Sequence, residues 1–429
     1  MVCGLAKSGA AALGLLAAHG ARVDGTDSRP EAEIKTKAEI APDFAGRLLL
    51  GADPTGFVHE YDLIVISPGI SARAGFVRRA LAFGIPVWGE VELAYALCPC
   101  PIVAITGTNG KTTVTSLVGE IMKKSNPKTV VGGNIGVPLT RLVGHLDGES
   151  LLVAEISSFQ LETARGFRPR VSAVLNVTED HLDRHGDMAA YIAEKEKIFA
   201  NQRQNDIAVL NYDNPITKKM RPRCRVVFFS QREELPQGVW LRGGDIIANG
   251  RRVAGIPGAK MPAENALAAA ALCLSAGASA ADVESGLAGF KGIEHRLEHV
   301  AKVGGTDYYN DSKATNVDST IKALQSFGHP VALIAGGYDK GADFAPLVGL
   351  FGKKVSRLFL LGQTAEKIAA ECARQGFSGF EICASLEDAV AAAAGRTVLF
   401  SPACASFGMF RDFEERGRRF KELVLAMAV

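Results

Sequence analysis

At 429 residues the chain is long enough for several domains, since domains typically run about 100–200 residues. Hydrophobic residues make up 47% and charged residues 22%, which excludes a disordered or low-complexity protein. The 48 basic and 46 acidic residues leave a formal charge of +2, so bulk charge argues for neither nucleic acid nor an anionic membrane as partner, and any anion must be held by a local site.

Taken in chain order, the opening MVCGLAKSG carries neither a basic n-region nor an apolar h-region, and no secretory leader is expected. The strand it predicts, 1–3, is shorter than the usual ~5 residues, which raises the expectation of missing chain ahead of it. The turn Gly4-Leu5-Ala6-Lys7-Ser8-Gly9 then enters a helical pattern over 8–19, and Asp27 closes the next strand. That spacing imitates the dinucleotide fingerprint, in which the turn faces a pyrophosphate and the acid a ribose. Ala6 stands where the central glycine belongs, so the turn reads equally well as plain structure, and a dehydrogenase is set aside.

Short β-branched runs at 63–66, 102–106, 151–156, 171–177, 207–210, 331–335, 357–361 and 397–400 predict strands. Apolar residues at three- and four-residue spacing predict helices over 8–19, 112–123, 188–200, 264–276, 364–375 and 385–394. The alternation argues for parallel sheets with helical crossovers. The segment 239–255 differs, with turns at Gly243-Gly244 and Asn249-Gly250, and reads as a small antiparallel meander. Sheet patterns restart near 99 and again near 290, which places domains at 1–91, 92–292 and 293–429. The eight cysteines fall in no framework, and Cys98-Pro99-Cys100 lacks the two-residue spacer of a redox or zinc knuckle, so reduced thiols are expected. The alanine-rich run 264–277 is too short to span a bilayer, and no membrane association is expected.

The stretch VAITGTNGKTTVTS (103–116) carries the strongest chemistry. A buried-looking strand ends in Gly107-Thr108-Asn109-Gly110-Lys111-Thr112, and a helix pattern follows. The G-K-T ending matches a Walker A loop, although Ile105 replaces its first glycine. Successive backbone N–H groups and a helix N-terminus make an anion nest, Lys111 reaches the outer phosphates of a nucleotide, and Thr112 offers a hydroxyl to Mg²⁺. Glu155 ends another buried-looking strand, where a carboxylate is costly unless paired or metal-bound. Strand C-terminal ends are also where open α/β sheets bind ligands. Asp180-His181 follows the next strand, and Lys195 and Lys197 lie on the helix beyond.

Together TGTNGKTT (106–113), GGNIG (132–136), AEISSFQLE (154–162) and NVTEDHLDRH (176–185) resemble the Mur ligases, ATP-dependent amino-acid ligases of peptidoglycan precursor synthesis. The likeness runs through the whole chain in order. The segments HRLEHV (295–300), YYNDSKATNVDST (308–320), GGYDKGADF (336–344) and SPACASFGMFRDFEERG (401–417) look like the D-glutamate-adding branch of that family.

The resemblance implies three α/β domains: a Rossmann-like N-terminal domain for the UDP substrate, a central P-loop ATPase domain with a mainly parallel sheet, and a Rossmann-like C-terminal domain that receives the amino acid. It implies the substrates UDP-N-acetylmuramoyl-L-alanine, D-glutamate and ATP, joined through an acyl phosphate, in a cytoplasmic protein expected to be a monomer. It also assigns residues. Gly107, Thr108, Asn109, Gly110, Lys111, Thr112 and Thr113 hold ATP, with Asn265 near the adenine, Arg296 at the phosphates and Asp311 at the ribose. Thr112, Glu155, His181 and a carbamylated Lys195 hold Mg²⁺, two ions in all, with Lys197 a near decoy. Ser8, Ser28, Arg29, Asn134 and His181 meet the UDP substrate. Lys313, Thr315, Lys340, Ser406 and Phe413 form the D-glutamate pocket, whose lysines suit a dicarboxylate. Closure about a hinge near 290–298 is expected to bring these groups to work. Met261-Pro262 and Gly408 depart from the family's usual His-Asn and aspartate. Two rival readings remain: a ligase of the same superfamily with another amino acid or folate as substrate, and a nucleotide-dependent binding protein that ligates nothing.

Overall fold

Three sheets account for the alternating pattern. The computed structural model describes residues 1–34, 44–256 and 261–427. The first sheet contains β1 (Val2–Cys3), β2 (Gly25–Asp27), β3 (Leu48–Leu50), β4 (Ile64–Ile66) and β5 (Val87–Gly89). It is wholly parallel, in the order β3-β2-β1-β4-β5. The direction of winding reverses beside β1, the position at which open α/β sheets leave a crevice for a ligand.

The second sheet is built from β6 (Ile102–Thr106), β7 (Thr129–Gly133), β8 (Leu151–Glu155), β9 (Val171–Val174), β10 (Ile207–Asn211), β11 (Arg225–Ser230), β12 (Gly238–Arg242), β13 (Asp245–Ala248) and β14 (Arg251–Gly255). Its order is β14-β13-β12-β11-β10-β9-β6-β8-β7. Pairing is parallel from β7 across to β12, and antiparallel only in the closing β12-β13-β14 meander. The meander turns where Gly243, Gly244, Asn249 and Gly250 take positive φ, as the glycine pairs lead one to expect. β6 lies between β9 and β8, and all five of its residues are buried, which is why it reads as an apolar run, IVAI, ended by Thr106.

The third sheet holds β15 (Glu298–Val303), β16 (Thr306–Asn310), β17 (Val331–Gly336), β18 (Val355–Leu361), β19 (Phe380–Ile382) and β20 (Val398–Phe400), in the order β15-β16-β20-β17-β18-β19. Only the β15-β16 hairpin is antiparallel. The chain divides into two compact units, one of Met1–Ile256 and Ala263–Phe290, the other from Lys291 onward. The first two sheets share the first unit because one apolar core runs from Leu5, Leu13 and Val91 through to Ile102, Ala104 and Leu152.

The predicted helices form with small shifts at their ends. The run 188–200 becomes an α-helix over Met188–Glu196 followed by a 3₁₀ turn, Lys197–Phe199. The strand read over 171–177 stops at Val174: Leu175 N–H still donates to Thr106 O of β6, and Asn176 turns its carbonyl to Thr108 N–H of the phosphate loop. Among the described residues, no helix is long and apolar enough to cross a membrane.

Candidate active site

In the first unit the loop after β6 has two glycines in conformations that strain any other residue. Gly107 has φ +153° and Gly110 φ +85°. A Cβ on Gly107 would press on Leu175, and one on Gly110 would lie 2.6 Å from Asn265 Oδ1. Gly110 then caps the helix Lys111–Ser125 and offers no side chain to its first amides. Those amides are the orphan donors of a helix start, and with the helix dipole they favour an anion.

The loop is held open from β9. Thr108 N–H donates to Asn176 O at 2.9 Å, and Asn109 N–H donates to Asn176 Oδ1 at 2.9 Å. Asn176 Nδ2 donates to Asn109 O and to Glu264 Oε1, and Asn211 Nδ2 donates to the same Glu264 oxygen. Thr108 Oγ1 shares a hydrogen bond with the Tyr191 hydroxyl and accepts one from Thr178 N–H. Sequence reasoning missed Asn176, Asn211 and Glu264. Their signal was present in part: two asparagines placed at or just past the ends of β9 and β10, and a carboxylate in the first turn of the helix Ala263–Ser275.

Two ammonium groups converge on the loop. Lys111 Nζ donates to Gly107 O at 2.9 Å and Thr108 O at 2.8 Å, and Lys195 Nζ donates to the same Gly107 O at 2.9 Å. Lys195 is only 1% exposed. Burial, reinforced by the nearby Lys111 charge, holds its amine well below the ordinary lysine range, against a weaker pull from Asp180. Lys197 turns elsewhere, to Glu162 O and Glu194, so geometry separates it from its neighbour.

Glu155 ends β8 at 1% exposure. Its Oε1 accepts from Asn134 Nδ2 at 2.8 Å, and Asn134 N–H donates to the Glu155 carbonyl. Oε2 is buried and has no partner. A carboxylate oxygen left bare in the interior is costly and suits a cation. Among the described residues no three His, Cys, Asp or Glu side chains form a ready-made cluster. His181 takes φ +56° at the start of the turn Leu182–His185 and packs edge-on against Phe159 at 4.8 Å, with Asp180 accepting its N–H. His185, not singled out from the sequence, is buried behind it and bonds Ser158, and burial lowers its basicity. Thr112 and Thr113 are the second and third residues of the helix that follows the loop.

In the first sheet, Ser8 sits in the first turn of the helix Lys7–Ala18. Asp27 is engaged in holding that turn: Oδ2 accepts from Leu5 N–H at 2.7 Å, and both its oxygens accept from the Arg29 guanidinium. These bonds, that to Arg29 foremost, hold its carboxyl down at about 2. Ser28 and Arg29 follow directly, at the C-terminal end of β2.

In the second unit, Asp311 is fully buried after β16. It accepts from Ser401 Oγ at 2.7 Å and from Leu297 N–H, with Arg296 Nη1 at 3.4 Å. Burial raises its carboxyl, against the opposing pull of Arg296. Lys313 Nζ lies 4.6 Å over the Phe413 ring, at the start of the helix Phe413–Ala426. Arg416, one turn further on, is 3% exposed and donates to Ser312 O, Ser312 Oγ and Cys404 O, so it pins together the segments bearing Lys313, Thr315 and Ser406. Tyr338 N–H donates to Ala405 O, which zips the loop of Lys340 beside that of Ser406. Ser406 is buried and Lys340 is exposed. Gly408 has φ +86°, a conformation in which glycine is at ease.

The family models for the Mur ligase MurD-like N-terminal domain, the Mur ligase middle domain and the Mur ligase glutamate ligase domain match residues 1–89, 105–273 and 295–404. The chain belongs to the Mur ligase family. A UDP-N-acetylmuramoylalanine--D-glutamate ligase of Pelotomaculum thermopropionicum is 46% identical over 100% of this chain and 97% of its own length. One of Caldanaerobacter subterraneus subsp. tengcongensis is 43% identical over 99% and 97%. The fold is also that of a pseudomurein peptide ligase type C from Methanothermus fervidus (TM-score 0.64, 17% identity, 99% of both chains). A UDP-N-acetylmuramate-alanine ligase from Thermotoga maritima is similar as well (TM-score 0.63, 20% identity, 99% and 98%).

Proposed function

We infer that this chain is an ATP-dependent ligase that joins D-glutamate to UDP-N-acetylmuramoyl-L-alanine in peptidoglycan precursor synthesis. The observation that carries the reading is full-length identity of 41–46% to ligases named for that reaction, together with a glutamate ligase domain at 295–404. The phosphate loop supplies the chemistry such a ligase needs. A carboxylate is a poor electrophile, and transfer of the γ-phosphoryl group of ATP to it creates an acyl phosphate. The neutral amine of D-glutamate then attacks the acyl carbon, the C–O bond to phosphate breaks, and an amide remains.

In this proposal Lys111 and the loop amides from Gly107 to Thr113 hold the β- and γ-phosphates, with Asn265 near the base, Arg296 at the phosphates and Asp311 at the ribose. Thr112, Glu155, His181 and a carbamylated Lys195 would hold Mg²⁺, which neutralises charge between carboxylate and phosphate when bound. The bare Glu155 Oε2 supports that assignment. The lowered basicity of Lys195 supports carbamylation, because the neutral amine is the form that attacks CO₂. Ser8, Ser28, Arg29 and Asn134 position the UDP substrate. Lys313, Thr315, Lys340, Ser406 and Phe413 receive D-glutamate. The division at 1–91, 92–292 and 293–429, the cytoplasmic location and the monomeric state belong to the same proposal.

The test is ADP release with UDP-N-acetylmuramoyl-L-alanine, ATP and Mg²⁺, comparing D-glutamate with L-glutamate, D-aspartate, L-lysine and meso-diaminopimelate. Release should depend on D-glutamate and be matched by the mass gain of one glutamyl residue in the UDP product. Release driven by another amino acid would keep the chemistry and overturn the reading of the second unit. ATP turnover indifferent to both substrates would instead favour a nucleotide-dependent binding protein.

A further inference from the structure

The motif Cys98-Pro99-Cys100 takes no part in the proposed ligation. It lies between the helix Glu90–Leu97 and β6, the strand that carries the phosphate loop. Cys98 is extended, with φ −77° and ψ 119°, and Pro99 fixes the next φ near −65°. In extended chain, residues two apart face the same side. The two sulfurs accordingly meet, Sγ to Sγ at 3.6 Å, and Cys98 Sγ also lies 3.5 Å from Cys100 O. Cys98 is half-buried, whereas Cys100 and the other six, Cys3, Cys224, Cys273, Cys372, Cys383 and Cys404, are buried.

We propose that Cys98 and Cys100 are a reactive vicinal dithiol, a modification site at which Cys98 attacks a low-molecular-weight disulfide and Cys100 resolves the adduct. In the first step the Cys98 thiolate attacks one sulfur of RS–SR, a Cys98–SR bond forms and RS⁻ leaves. In the second, Cys100 loses its proton and attacks the Cys98 sulfur, the Cys98–Cys100 bond forms and a second RS⁻ leaves. The two cysteines give up two electrons and two protons, and the reagent gains both as two RSH. Contact with Cys100 lowers the Cys98 thiol, while burial pushes the six other thiols up. Cys100 is raised, chiefly because its proton serves Cys98, and Asp147 opposes its ionisation as well. Cys98 is half-buried and reachable by a reagent whereas Cys100 is buried beside it, so Cys98 is the attacking group and Cys100 the resolving one.

The experiment exposes the reduced full chain to oxidised glutathione, alkylates the remaining thiols under denaturing conditions and weighs the peptide spanning both cysteines. That peptide should be lighter by two hydrogens and unalkylated, and a thiol reductant should restore both sites, while the other six cysteines alkylate as in untreated protein. Cys100→Ser should retain a glutathione adduct on Cys98, and Cys98→Ser should leave Cys100 unmodified under the same exposure. Thermal melts of both variants close to that of the parent chain show that folding is not the cause. A lasting adduct on Cys98 of the parent chain with no internal disulfide, or native alkylation of Cys98 no faster than that of Cys273, would overturn the proposal.

Discussion

Lys195 shows how one buried group can be poor for stability and good for chemistry. Its amine is fully enclosed, touches Gly107 O and faces Lys111, and its basicity drops well below the usual range. The sign of the linkage follows. The folded state prefers the neutral amine and the unfolded chain the ammonium, so the unfolded state binds more protons. Stability is therefore lowest below the folded pKa and recovers as pH rises toward the unfolded value near 10.4. Lys195→Met removes that deficit. In bicarbonate-free buffer at pH 7 it should raise the melting temperature of the protein. In calorimetry the gain should shrink as pH approaches 10. The same variant should lose ligation by about 100-fold or more if the lysine serves the metal site. A lower melting temperature at pH 7 would mean that the amine is not a burden on the fold.

At the scale of elements, the phosphate loop depends on two glycine conformations and a clasp of asparagines. Gly110→Ala must hold a Cβ at φ +85° and within 2.6 Å of Asn265 Oδ1. Left-handed strain alone costs about 1–2 kcal/mol. Displacement of Asn265 adds to it. The expected result in steady-state kinetics is a fall in kcat/KM for ATP of at least tenfold, with the KM for D-glutamate little changed; unaltered ATP kinetics would show that the loop tolerates another path. The strand-loop-helix order here was legible because β6 opens with the apolar run IVAI (102–105) and the turn chemistry is local. The clasp was not, since Asn176, Asn211 and Glu264 meet only once β9, β10 and the helix Ala263–Ser275 are side by side. Asp27 illustrates the same limit. Its spacing suggested a ribose contact, yet its oxygens are taken by Leu5 N–H and Arg29. Arg416 escaped notice for a related reason: an arginine on an amphipathic C-terminal helix reads as solvated until its three acceptors are known.

At the scale of the whole molecule, the proposed work divides between two compact units. The phosphate loop, Glu155 and Lys195 are in the first, and Lys313, Thr315, Lys340, Ser406 and Phe413 are in the second. Within the second unit Lys340 is exposed on the loop after β17, where the Tyr338–Ala405 pairing sets it beside the Ser406 segment. Its neighbour Asp339 is paired with Lys367 at 3.0 Å, so that carboxylate is already partnered when an acid arrives. A charge-assisted hydrogen bond to a ligand carboxylate is worth roughly 1.5–3 kcal/mol. Lys340→Ala should therefore raise the KM for D-glutamate by about tenfold to a hundredfold. Distant sites behave additively, so the KM values for ATP and for UDP-N-acetylmuramoyl-L-alanine should stay within about twofold. Initial-rate kinetics with each substrate varied in turn decides the matter. An unchanged KM for D-glutamate removes Lys340 from the pocket. Parallel losses for all three substrates would place its role in the fold of the second unit and not in recognition of the amino acid.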